Sequence, residues 1–94
     1  MELKILKKEE NELKLEIVGE THTFCNLLQN LLLEDESVEM AGYTIPHPLT
    51  ASPIIYIRTK KGKPTTALKR AIKKIKKINM DFTSAYEKAL KEFH

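Results

Sequence analysis

The chain has one cysteine, no tryptophan, three glycines and four prolines among its 94 residues. A single thiol, Cys25, excludes an internal disulfide and fits a reducing compartment. With so few glycines there is no nucleotide loop, and Gly62-Lys63-Pro64-Thr65 falls well short of one. No apolar run is long enough to cross a membrane and no stretch resembles a signal peptide. The expectation is one cytoplasmic domain over residues 1–94 with no membrane contact. Metal and thiol chemistry are equally thin. His22 and Cys25 stand three apart, but a structural zinc site needs four such ligands, and only His47 and His94 could add to them. Cys25 reads as a small buried residue. Neither a cofactor, a metal nor a catalytic residue is expected.

Acid is missing from one region. Residues 58–80 hold ten basic side chains and no Asp or Glu, whereas residues 1–57 hold four basic and ten acidic ones. The overall charge of +3 hides this division. The basic block 58–77 could dock an acidic protein or attract DNA. It contains no aromatic residue that could stack on bases, which argues against single-strand recognition. The cluster Glu34, Asp35, Glu36 and Glu39 reads as a solvated helix end.

Leu3 and Ile5, then Leu13, Leu15 and Ile17, alternate with charged residues at the period of half-buried strands, and Glu9-Glu10-Asn11 supplies a turn. Gly19 ends this hairpin, and Thr21 or Thr23 can cap a helix running to about Glu34. At about 100° per residue, Phe24, Leu27, Leu28, Leu31 and Leu32 span roughly 140° of that helix, more than one contact requires. Ser37 to Ile45 and Ile54 to Ile57 read as strands, separated by a stretch in which Pro46 and Pro48 cannot continue a ladder. From Pro64 to the C-terminus there is neither glycine nor a second proline. Leu68, Ile75, Phe82 and Ala89, with Ala71, Ile78 and Ala85, recur there at intervals of seven. This spacing predicts one helix of about 46 Å, longer than a small sheet can cover. The alternative is a break at Asn79-Met80-Asp81, with Asp81 capping a second helix that folds back. The predicted fold is α+β: a mainly antiparallel four-stranded sheet in the order β-β-α-β-β-α, two helices on one face, the last one long. Its excess apolar surface calls for a partner.

The segments Glu20-Thr21-His22-Thr23-Phe24-Cys25-Asn26-Leu27-Leu28 and Ala41-Gly42-Tyr43-Thr44-Ile45-Pro46-His47-Pro48, followed by Ile55-Tyr56-Ile57-Arg58-Thr59, resemble the small alpha-like subunits of RNA polymerase. In archaea this family is called subunit L, and it is the counterpart of the eleventh subunit of eukaryotic RNA polymerase II. The family's motif residues match His22, Thr23, Asn26, Gly42, Tyr43, Pro46, His47 and Pro48. Phe24-Cys25 stands where the family often has leucine followed by glycine. The resemblance implies an alpha-subunit dimerisation-domain fold and an obligate heterodimer with the larger alpha-like subunit, D. It further implies a platform that meets small zinc-bound subunits and the large catalytic subunits, with DNA contacted only through the complex. The chain would then be a non-catalytic component of a nucleotidyltransferase complex. The expected interface is Phe24, Leu27, Leu28, Leu31, Leu68, Ile72, Ile75, Phe82, Tyr86 and Phe93. Two rival readings are a homodimeric nucleic-acid-binding module using the basic block, and a small enzyme built on His22, Cys25 and His47.

Overall fold

Alternation builds the sheet. Strands β1 (Glu2–Lys8), β2 (Glu12–Val18), β3 (Val38–Thr44) and β4 (Ile54–Thr59) pair antiparallel in the order β1-β2-β4-β3. The computed structural model describes residues 2–45, 52–75 and 79–93, with side chains in the last stretch from residue 84 onward. Register places Leu13 opposite Ile57 and Leu15 opposite Ile55, so one face carries Leu3, Ile5, Leu13, Leu15, Ile17, Ile55 and Ile57, all buried. Sequence periodicity marked Leu3, Ile5, Leu13, Leu15 and Ile17 as the half-buried set; the inward face of β4 and the strand order come from the fold, because β4 inserts between β2 and β3. Gly19 ends β2 at φ 86°, a left-handed conformation that costs a glycine no clash.

Helix α1 (His22–Leu33) starts at Thr21, whose hydroxyl accepts from the Phe24 amide at 3.2 Å. Its buried residues Cys25, Leu28 and Leu32 complete the core beside β3 and β4. The last helical region departs from the expectation. Helix α2 (Pro64–Lys73) ends in a tightened turn, where the amides of Lys74 and Ile75 donate to the carbonyls of Ala71 and Ile72 at 3.1 and 2.8 Å. A separate helix, α3 (Asn79–Glu92), packs on β1. The described residues therefore form three helices, α2 and α3 standing as separate elements where one long rod was expected. Asn79 and Met80 already belong to α3, so Asp81 lies inside the helix and not at the position before its first residue. The physical reason is burial: folding back lets α3 sink Ala85, Tyr86 and Ala89 into the chain's own core. The result measures 34 × 29 × 26 Å, well short of a 46 Å rod in every direction.

Candidate protein interface

Helix α1 carries two adjoining apolar stripes. At about 100° per residue, Cys25, Leu28 and Leu32 centre on one line facing the sheet, while Phe24, Leu27 and Leu31 occupy the next 60° or so. The first stripe is fully buried. The second is open: Leu27 is 46% exposed, and Phe24 and Leu31 are only partly covered. Ile75, at the end of α2, and Phe93, just past α3, are also partly buried against the core.

The ten residues expected to meet a partner thus divide. Leu28, Leu68, Ile72 and Tyr86 are no more than 5% exposed and are taken up by the chain's own core, where the expectation placed them against the partner. Phe24, Leu27, Leu31, Ile75 and Phe93 stay accessible at least in part. The Phe82 side chain lies outside the described residues.

The two sequence motifs meet in space. The Tyr43 hydroxyl, on β3, shares a hydrogen bond with Nδ1 of His22, at the start of α1, at 2.8 Å, and the rings stand edge to face at 63°. Thr23 and Asn26 are exposed on the same helix, and Gly42 faces the side of the sheet that carries no helix. Pro46, His47 and Pro48 lie outside the described residues.

The basic block is not a uniform patch. Arg58 donates to Glu12 at 2.7 Å, beside Tyr56, whose hydroxyl donates to the same carboxylate, and Lys7 stands 3.2 Å from its other oxygen. These donors, Tyr56 first and then Arg58 and Lys7, pull the Glu12 carboxyl down to about 2. Arg70 binds Asp35 through Nε at 2.8 Å and Nη2 at 3.2 Å. Asp35 also accepts from the Ser37 amide and hydroxyl, at 2.9 and 2.7 Å. The Arg70 bonds lead in holding the Asp35 carboxyl far below the ordinary carboxylate range, with Ser37 adding to them against the cost of burial. Lys60, Lys61, Lys63, Lys69, Lys73 and Lys74 remain exposed. Sequence reading took Asp35 as merely solvated. The Asp-x-Ser spacing from Asp35 to Ser37 was the available signal for its local bonds, but nothing local marks Arg70 or the Glu12 pairing.

His22 and Cys25 do not converge: Cys25 is fully buried, whereas His22 is exposed beside Tyr43. Burial, with a smaller contribution from the Glu20 charge, raises the Cys25 thiol to about 11. Among the described residues no three His, Cys, Asp or Glu side chains form a metal-sized cluster, and no helix is long and apolar enough to cross a membrane.

A four-stranded antiparallel sheet with helices on one side and a half-open apolar helix stripe defines an α+β protein-association module. Residues 12–85 match the family described as the RNA polymerase Rpb3/Rpb11 dimerisation domain. The chain is 40% identical over 90 residues to DNA-directed RNA polymerase subunit Rpo11 of Methanococcoides burtonii, covering 96% of this chain and 99% of that one. It is 52% identical over 75 residues to the Rpo11 of Archaeoglobus fulgidus, covering 80% and 87%. The crystal structure of RNA polymerase subunit L from Thermoplasma acidophilum superposes with a TM-score of 0.72 at 34% identity, covering 96% of this chain and 89% of that one. The chain belongs to this family, the small alpha-like subunits of DNA-directed RNA polymerase known as Rpo11 or L.

Proposed function

We propose that the chain is a non-catalytic assembly subunit that pairs as an obligate heterodimer with the larger alpha-like subunit, D, through the open stripe of α1. The pair would then receive the large catalytic subunits and the small zinc-bound ones, and reach DNA only through them. The observation that carries this reading is Leu27, an exposed leucine flanked on one helix face by the half-covered Phe24 and Leu31. Ile75 and Phe93 offer further half-covered apolar surface. An obligate interface is large, more than about 2,000 Å² in total, and mainly apolar. A partner on α1 would cover what the chain's own sheet leaves open.

Leu27→Asp tests the reading better than a substitution at Leu28, because Leu28 is fully buried and its replacement would unfold the chain itself. Leu27→Asp should leave the melting temperature of the free chain close to wild type, since exposed substitutions usually change stability by less than about 0.5 kcal/mol. Pairing with the larger alpha-like subunit should be lost, because a buried carboxylate without a partner costs several kcal/mol. Co-purification of the variant at wild-type yield would refute the assignment.

A further inference from the structure

The loop between β4 and α2 gathers cations that the chain itself does not neutralise. Lys61 and Lys63, with Ser37, Gly62, Thr66 and Arg70, line a hollow of about 350 Å³. All six of these residues are described, as are the segments that carry them. Among the described residues no carboxylate pairs with Lys61 or Lys63, whereas Lys7 and Arg58 both meet Glu12. Like charges gathered around one hollow repel each other, and an anion between them would relieve that cost.

The walls are held in place from behind. Thr59, only 1% exposed, donates its hydroxyl to the Gly62 carbonyl at 2.8 Å, and the Lys60 amide donates to the Ser37 carbonyl at 2.8 Å. Gly62 takes φ 74°, which turns the loop without a clash. Backbone is therefore pinned on both sides of Lys61. Asp35 fixes the third cation by accepting from Nε and Nη2 of Arg70, and Nη2 also reaches the Ser37 hydroxyl at 2.9 Å. Nη1 of Arg70 has no hydrogen-bond partner among the described residues. An arriving anion thus has only the two lysine side chains left to order, which keeps the cost of binding low.

Charge and lining narrow the ligand. Lys61, Lys63 and Arg70 set three positive charges against the single carboxylate of Asp35. That excess suits a phosphate monoester, which carries about −1.5 to −2 at pH 7 and presents three strong acceptor oxygens. No aromatic side chain lines the hollow, so a nucleobase would find nothing to stack on. Glu34 and Glu36, exposed on either side of Asp35 in the chain, make this end of the basic block unsuited to a continuous phosphate backbone. Lys69, Lys73 and Lys74 are exposed on α2 but do not line the hollow.

We infer that this hollow binds the phosphoryl group of a small phosphate monoester, held by Lys61, Lys63 and Nη1 of Arg70 with the Thr66 hydroxyl beside them. Asp35 and Ser37 keep Arg70 in position. Such a site does not depend on pairing through α1.

The full-length chain is titrated with ribose 5-phosphate and with inorganic phosphate at constant ionic strength, and its backbone amide signals are followed by NMR. Ribose 5-phosphate should shift the amides of Lys61, Gly62, Lys63 and Thr66 to saturation, at least as tightly as inorganic phosphate does. Replacing Lys61 and Lys63 together by alanine should weaken binding by about tenfold or more, the loss expected for charge-assisted hydrogen bonds. Lys69→Ala with Lys73→Ala removes the same charge from the same block and should leave the affinity nearly unchanged. All four lysines are exposed, so both double variants should melt like wild type. Equal weakening by the two pairs would mean diffuse attraction and overturn the proposal. Shifts that never saturate would overturn it too, as would saturation by inorganic phosphate alone, which would leave room for a free oxyanion but not for an ester. Duplex DNA that displaced ribose 5-phosphate and was lost with Lys69→Ala and Lys73→Ala would assign the block to nucleic acid instead.

Discussion

Asp35 joins three elements and should contribute, with Glu12, to the acid response of the free chain. It follows α1, accepts from Ser37 at the approach to β3, and receives both hydrogen bonds from Arg70 on α2. Its side chain is 15% exposed, against 49% for Arg70. The half-exposed ion pair contributes at most about 1 kcal/mol. The hydrogen bonds from Ser37 to a charged, largely covered acceptor raise the total for Asp35→Ala to about 2 kcal/mol. For a chain of this size 1 kcal/mol corresponds to about 4–8 °C, so the melting temperature should fall by about 10 °C at pH 7. The sign with pH follows from the depressed carboxyl. Its stabilisation is complete above the unfolded value near 4 and is lost as pH falls toward the lower folded value. Thermal unfolding followed by circular dichroism at pH 7 and at successively lower pH should therefore show wild type and Asp35→Ala converging. A difference below about 0.5 kcal/mol at pH 7, or one that stays constant into acid, would refute the account.

Three further outcomes follow from single side chains. Tyr86 is buried with its hydroxyl unpartnered among the described residues, so Tyr86→Phe should raise the melting temperature, because an unmet buried hydroxyl costs about 1–3 kcal/mol; a lower value would mean the hydroxyl has a partner. Cys25 should react with a thiol reagent at pH 8 only at the rate of unfolding, since it is buried and its thiol is raised to about 11; rapid labelling of folded chain would contradict its place in the core. Tyr56→Phe removes the first donor to Glu12, so the Glu12 carboxyl should titrate measurably above its present value of about 2 by carbon-detected NMR, and an unchanged titration would exclude that bond.

The strands and the first helix were legible because each is recorded locally. Leu13, Leu15 and Ile17 alternate and are all fully buried, and Thr21 stands where a cap belongs and acts as one. The contacts that organise the surface were not legible, because they join distant residues. Arg58 and Glu12 are 46 positions apart, and Arg70 and Asp35 are 35 apart. A carboxylate in an acidic cluster looks the same in sequence whether water or a distant guanidinium receives it.

The break after α2 shows why apolar spacing alone overstates the demand for a partner. Intervals of seven from Leu68 through Ile75 and Phe82 to Ala89 state that these residues face one way on a helix, and they continue unbroken across the break. They do not state what lies opposite, and β1 can supply that surface as well as a second chain can. Because α3 takes β1, Ala85, Tyr86 and Ala89 are covered internally. Among the described residues the surplus on the helices therefore narrows from two whole faces to the Phe24-Leu27-Leu31 stripe, with Ile75 and Phe93 at half cover and Leu33 and Leu90 exposed at the helix ends. That narrowing moves the decisive substitution from a core leucine to Leu27, where loss of pairing and loss of folding separate. A free chain in which Leu27→Asp melted far below wild type would show that even this stripe is already covered from within.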